Sequence, residues 1–309
     1  MNSRFAPDTA AHPAPRSNGI EATAAIVTAS YAPDFERCRL LCESIDRFVT
    51  GASHHYILVE GRDVALFRQL ETRTRTVISE RDLLPGWLRP YDDPLSLFRR
   101  RIWLSLKTQP LRGWHVQQLR RIAIAAHTSE AMLIYCDSDI AFLKPFDCKL
   151  FWRDGLVRLF RRDDGVAEAR SNHKAWSRNA GSALGIAQPA ISPHDYIATL
   201  ISWRRDAILA MCSHIEKLHS RHWVEVIASE RQFSECMIYG RYVDEVIGSA
   251  GHFHGAEEFC RVQWFPSEYS NSDAEVQALI AEVTAEQVAI GMQSFIGTDI
   301  ARIRRLLGA

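Results

Sequence analysis

No stretch of this 309-residue sequence approaches the roughly 20 consecutive apolar residues that a bilayer-spanning helix needs. A soluble protein is therefore expected. Net charge is missing as well: 37 basic residues balance 37 acidic ones, so no global field recruits nucleic acid or an acidic polymer. Cysteine is unpatterned. Cys38, Cys42, Cys136, Cys148, Cys212, Cys236 and Cys260 are odd in number and contain no C-x-x-C pair. They read as small apolar packing residues in a reducing cytoplasm, with Cys38 and Cys42 on one face of a helix. Residues 1–20 contain Pro7, Pro13 and Pro15 but lack the apolar core of a signal peptide, and a disordered tail is expected there. Internal repeats are also lacking. Basic clusters at Arg99-Arg100-Arg101 and at 302–305 fit solvated faces or peripheral contact with anionic lipid.

What is present centres on Ala131-Met132-Leu133-Ile134-Tyr135-Cys136-Asp137-Ser138-Asp139. An apolar run of strand composition ends in two carboxylates, so a buried element delivers negative charge at its carboxyl tip. Open α/β sheets bind ligands at that edge. If the backbone stays extended through Ser138, Asp137 and Asp139 share a face. Their mutual repulsion is resolved by a hard cation, Mg²⁺ or Mn²⁺, that also accepts phosphate oxygens. Asp-x-Asp also occurs as a solvated turn or a helix cap.

The rest of the chain alternates strand and helix signals, which implies a parallel sheet covered on both sides. Ala24 to Ser30 reads as a strand and Asp34 to Phe48 as a helix. The small Thr28-Ala29-Ser30 end leaves room for a nucleobase or ribose, with Tyr31 available to stack. Further strands are expected at Tyr56–Val59 and Thr76–Ile78, with a helix at Asp63–Leu70 between them. An ordered loop at Leu83–Pro94 and a helix at Leu95–Leu106 follow. The helix Gly113–Ala126 leads into the carboxylate-tipped strand, with Arg120 or Gln117 on its exposed side placed to reach a nucleotide; a plain surface charge is the other reading of Arg120. A strand at Leu156–Phe160 precedes a polar turn at Ser177–Gly181 feeding a small-residue strand to Ile186, where Gly181 and Gly185 permit close approach of a ligand. Helices are expected at His194–Met211, Glu230–Tyr239 and through Ala274–Leu307.

With these pieces in place the sequence resembles the GT-A class of nucleotide-sugar glycosyltransferases, and within it an uncharacterised bacterial family of that fold. The resemblance spans roughly Ala24 to Gln263. It rests on the Thr28-Ala29-Ser30 strand end, the Trp114–Ala126 helix, Asp137-Ser138-Asp139, Asn179-Ala180-Gly181, and Ser234 to Gly240. It implies a Rossmann-like, mostly parallel sheet flanked by helices, with a catalytic domain at 21–265 and a helical extension at 266–309. It also implies that Asp139 binds Mn²⁺ or Mg²⁺, that Asp137 contacts ribose or metal, and that Asn179 contacts donor-sugar hydroxyls. In retaining members a histidine in a His-x-x-Gly pattern adds a metal ligand; His252 matches that spacing, while the lysine and proline of the longer pattern are absent.

Transfer from a nucleoside diphosphate, by analogy UDP, to a glycan or glycolipid hydroxyl builds charge on the leaving group. A metal held by Asp139 stabilises that charge. Glu235 is the candidate to orient or deprotonate the acceptor, or to stabilise the sugar cation; a structural carboxylate bonded to a nearby arginine is the other reading. His254 is read as structural. Cytoplasmic assembly of a surface glycan, peripheral to the inner face of the membrane, follows by analogy. Two rivals stand beside this: a haloacid-dehalogenase-type phosphotransferase with Asp137 as nucleophile, and a catalytically inactive GT-A scaffold. The former expects Thr or Val where Ala141 stands and places its motif near the N-terminus.

Overall fold

The computed structural model describes residues 23–97, 100–168, 171–264, 272–293 and 299–307. The tail expected at 1–20 lies outside the described residues. The central sheet is built from β1 (Ala24–Ala29), β2 (Ala52–Val59), β3 (Arg75–Ser79), β7 (Met132–Cys136) and β10 (Leu200–Arg204). Their spatial order is β10-β7-β1-β2-β3, and all pairings are parallel except β7 with β10. The expected α/β class with a mostly parallel sheet flanked by helices is what the chain forms.

Both faces of this sheet are buried, and the period of two along each strand separates two cores. Ala25, Val27 and Ala29 of β1 and Leu133 and Tyr135 of β7 share one core with Val116, Leu119 and Ile122. These last three come from α2 (Gly113–Ala123), which follows α1 (Phe35–Phe48) among the long helices. Ala24 and Ile26 of β1 and Met132, Ile134 and Cys136 of β7 share the other core with Leu41 and Ile45 of α1. Continuing the first series past Tyr135 puts Asp137 on the α2 side.

Several expectations are corrected. In place of a helix at Leu95–Leu106, β4 (Arg89–Asp92), β5 (Arg101–Leu104) and β6 (Leu111–Arg112) form a small antiparallel sheet. Leu97, Ile102 and Trp103 mimic helical spacing, but Trp103 alone of its strand turns into the core while Leu104 turns out. Ser177 to Ile186 is not a turn and strand; Ser177 to Leu184 lie in α3 (Ser171–Leu184). The expected helix His194–Met211 begins as strand β10 and becomes helical only in α4 (Arg205–His219). Leu200 and Trp203 fit helical spacing by coincidence, because a strand buried on both faces carries apolar residues without alternation.

The helix expected from Glu230 is shorter, α5 (Glu235–Arg241), capped by the Ser234 hydroxyl accepting from the Met237 N–H at 3.4 Å. The C-terminal part is not purely helical. Between α6 (Asp273–Ala281) and α7 (Ile300–Leu307), β13 (Ala289–Met292) pairs with both β8 (Ile140–Phe142) and β12 (Cys260–Gln263). Among the described residues after 265, β13 is thus woven into the layer beside Asp139 rather than laid on a finished core. On the far side, β9 (Leu156–Phe160) pairs with β11 (His252–Gly255).

Candidate active site

Parallel strands end together, so the carboxyl ends of β1, β2, β3 and β7 bring Tyr31, Glu60, Glu80 and Asp137 to one edge. From β1 the chain proceeds outward through β2 and β3, then returns to place β7 on the opposite side of β1. The gap between the ends of β1 and β7 is a topological switch point, where open α/β sheets form a crevice.

The extended run expected through Ser138 is not formed. The strand ends at Cys136, and the Ile140 N–H donates to the Asp137 carbonyl at 3.4 Å, closing a turn. Asp137 faces α2: its Oδ1 lies 3.6 Å from Arg121 Nη1, and the side chain keeps 26% exposure. Asp139 borders α1 and the C-terminal layer, lining a narrow crevice with Arg37, Leu40, Met292 and Ile303; its carbonyl accepts from the Met292 N–H at 3.1 Å. The pair therefore flanks the strand tip instead of lining one strand face. Both still act on one neighbour. Cys260, buried in β12, has its thiol pushed well up by burial and then by the charges of Asp137 and Asp139.

Arg121 was not foreseen. Its Nη1 lies 3.0 Å from Glu235 Oε1 as well as near Asp137, so one buried guanidinium joins two carboxylates. It packs over the Tyr135 ring at 4.9 Å, and the Tyr135 hydroxyl donates to the Arg121 carbonyl at 2.8 Å. Its Nε and Nη2 have no hydrogen-bond partner among the described residues. Gln118, one turn earlier on the same helix face, accepts the Glu235 N–H at 3.0 Å. The expected arginine-bonded carboxylate reading of Glu235 is thus what its contacts are. Burial raises the carboxyls of both Glu235 and Asp137, with Arg121 opposing in each case.

Arg120 is buried, not on the exposed side of α2 as expected. Its Nη1 donates to the Leu58 carbonyl at 3.4 Å, beneath the β1 and β2 ends. Burial lowers its pKa, and the charges of Glu80, Glu60 and Asp63 oppose that. Gln117 is half-buried one turn before Arg120 on that side. Burial likewise raises Glu60 and Glu80. Asp63 accepts the Ala32 N–H at 2.9 Å and so fixes the loop that carries Tyr31, a residue 41% exposed.

The remaining expected contacts are redistributed. Thr28, Ala29 and Ser30 are buried. The Thr28 hydroxyl points into the core, 3.3 Å from Cys136 Sγ and 3.0 Å from His55 Nε2, so it ties strands together rather than facing a nucleotide. Asn179 donates to the Gln232 carbonyl at 2.6 Å from within α3. Gly181 gives its space to Arg241: a Cβ there would meet Nη1 at 2.5 Å. Arg241 is fully buried and bonded to Glu245 and to the carbonyls of Ser177, Pro189 and Ala190.

His252 does not join the acidic pair. Its Nε2 lies 2.8 Å from the Tyr239 hydroxyl and its Nδ1 2.9 Å from the Ala250 carbonyl, and burial pushes its pKa down to about 4. Tyr239 accepts the Arg204 N–H at 2.8 Å, and Arg204 pairs with Met132. That end of β7 is about 16 Å from Asp137 at ~3.3 Å per strand residue. His254, read as structural, lies 2.8 Å from Asp244 Oδ1.

Carboxylate, phosphate and water oxygens are the donors that Mg²⁺ or Mn²⁺ accepts, but Asp137 and Asp139 lie on opposite sides of the strand tip and do not form a joint donor pair as they stand. Among the described residues, no group of three or more His, Cys, Asp and Glu side chains converges as a ready-made metal cage. No helix among them is long and apolar enough to cross a membrane. No curated protein matches the chain. Residues 19–282 match a family described as a family of unknown function (DUF6492), and the chain belongs to that family.

Proposed function

We propose that the protein is a glycosyltransferase that moves a sugar from a nucleoside diphosphate to a hydroxyl acceptor in the crevice between β1 and β7. The observation that carries this reading is the coincidence of the topological switch point with Tyr31 on one lip and the Asp137–Arg121–Glu235 cluster on the other. Tyr31 offers an exposed ring for a nucleobase. Glu60 and Arg120 lie under the same lip, where ribose hydroxyls find buried polar partners. Asp137 would hold the divalent cation from the α2 side of the strand tip, with Asp139 joining it on turning from the α1 side; the cation supplies Lewis-acid neutralisation of the diphosphate when bound.

Arg121 adds a fixed positive charge beside the position where the leaving phosphate oxygen becomes anionic, in a water-poor setting where such a charge acts strongly. In the transfer the sugar–phosphate C–O bond breaks, the acceptor oxygen bonds to the same carbon, and the acceptor proton leaves. Glu235 is the group that takes or directs that proton. Burial raises its pKa toward the range in which a carboxylate is an effective base.

Calorimetry with UDP in the presence and absence of Mn²⁺ tests the reading. Wild type is expected to bind only with the metal, and Asp139→Ala to keep its fold and lose that binding; unchanged affinity in the variant defeats the metal assignment. Phosphate release from a simple phosphomonoester, with no response to sugar nucleotides, would move the assignment to a phosphotransferase.

A further inference from the structure

The small sheet of β4, β5 and β6 carries a face on which Tyr91 and Leu104 stay exposed and Ile102 is half-buried. Its register pairs Arg89 with Leu104, Tyr91 with Ile102 and Ile102 with Arg112. Trp103 turns into the core, so Ile102 and Leu104 take the other side together with Tyr91. The loops at the two ends of β5 raise three more leucines: Leu95 is 88% exposed, Leu97 76%, and Leu106 is fully exposed. Single exposed leucines need no explanation, but several protruding from one small sheet do.

The same segment holds charge. Residues 86–112 contain six basic side chains and two acidic ones, a local excess of positive charge in a chain whose totals balance. Arg100 and Arg112 line, with Asp93, Leu95 and Ser96, an open cavity of about 320 Å³ at the foot of the Leu95 loop. Arg112 is held there by Asp93 at 3.1 Å. Protruding apolar tips separated by cations do not form the continuous apolar core of a protein interface. They match the layering of a bilayer surface, with acyl chains for the leucines and phosphates for the arginines.

We propose that this sheet is the face by which the protein docks on an anionic lipid bilayer, with Leu95, Leu97 and Leu106 entering the acyl boundary. Arg89 and Arg100 meet the lipid phosphates. The small sheet is tied to the candidate active site by the Arg62–Asp92 ion pair at 3.7 Å and by α2, which follows β6 directly. Docking therefore holds the crevice near the membrane surface. The docking itself does not depend on the glycosyltransferase reading.

The test is co-sedimentation of the full chain with vesicles of phosphatidylcholine alone or mixed with an equal part of phosphatidylglycerol. Wild type is expected to pellet with the mixed vesicles only, and less as salt rises. Serine at Leu95, Leu97 and Leu106 together should lower partitioning on the order of tenfold or more. Arg89→Ser with Arg100→Ser should lower it about fivefold per charge. Both variants should keep the wild-type melting temperature and nucleoside-diphosphate affinity, which separates docking from the site reading. Absence of wild-type pelleting, equal pelleting with neutral vesicles, or wild-type pelleting of the triple-serine variant overturns the proposal. So does a concentration-dependent dimer that this variant abolishes while vesicles stay unbound, since the face then belongs to a second copy.

Discussion

Arg121 Nη1 lies 3.0 Å from Glu235 Oε1 and 3.6 Å from Asp137 Oδ1, so a single buried cation serves two carboxylates drawn from distant parts of the chain. The cluster carries surplus negative charge, and burial pushes both carboxyls up while Arg121 holds them down. An arrangement of that kind is costly to stability and suited to accepting further positive charge.

Removing the cation leaves the carboxylates without compensation. Arg121→Met is expected to cost on the order of 3–5 kcal/mol, because the surviving buried charge loses its partner. Urea denaturation of Arg121→Met, Glu235→Gln and the double variant checks this. The double variant should be more stable than the sum of the single losses predicts, and strict additivity would show that the contact carries no coupling.

Glu235→Gln keeps the size of the side chain and removes the charge. Donor binding should persist while transfer falls by about two to four orders of magnitude, the usual contribution of a positioned base. Calorimetry for binding and a single-turnover assay for transfer separate the two effects. Equal turnover in the variant would leave Glu235 a purely structural group.

Glu80 gives a pH signature. Burial raises its carboxyl above the ordinary value, so its stabilising share is complete below the unfolded value and is lost as pH rises through the folded one. Glu80→Gln, which cannot ionise, should therefore gain on wild type as pH increases from the acidic range toward neutrality. Unfolding free energies across that range read the difference; a gap independent of pH would place no burdened carboxylate there.

Gly240 sits in α5, where alanine would ordinarily gain about 1 kcal/mol of helix propensity. A Cβ at this position would lie 2.1 Å from Tyr196 Cγ, and that ring is pinned by its hydroxyl donating to Asp244 at 2.8 Å. Overpacking of about 1–3 kcal/mol should win, so Gly240→Ala is expected to lower stability on thermal or urea unfolding. A variant as stable as wild type would mean that the ring moves aside freely.

Much of the frame was legible in the residues themselves. Ala24 to Ala29 and Met132 to Cys136 are apolar over strand length, and Cys38, Leu41, Cys42 and Ile45 recur at helical spacing; each such run states its own period. The same reading placed Asp137 at a buried strand's carboxyl end. It failed at Leu200–Arg204 and Ala289–Met292, short strands whose pairing partners are remote, and at Arg101–Leu104, a four-residue strand whose apolar residues also fit helical spacing. It also took Asn179-Ala180-Gly181 for a turn, although those small residues serve helix packing and the seat of Arg241.

What the sequence determined by itself is local: where the chain is apolar, with what period, and which strand ends in acid. Tertiary structure decided which charges meet. Arg121 faces Asp137 and Glu235 while its neighbour Arg120 turns under the β1 and β2 ends, because a step of one residue turns a helix side chain by about 100°. His252 is carried to the far end of β7 because β10 runs antiparallel to it and brings Arg204 and Tyr239 there. Periodicity is a property of neighbours along the chain, whereas partnership depends on strand register and helix rotation, which only the assembled fold fixes.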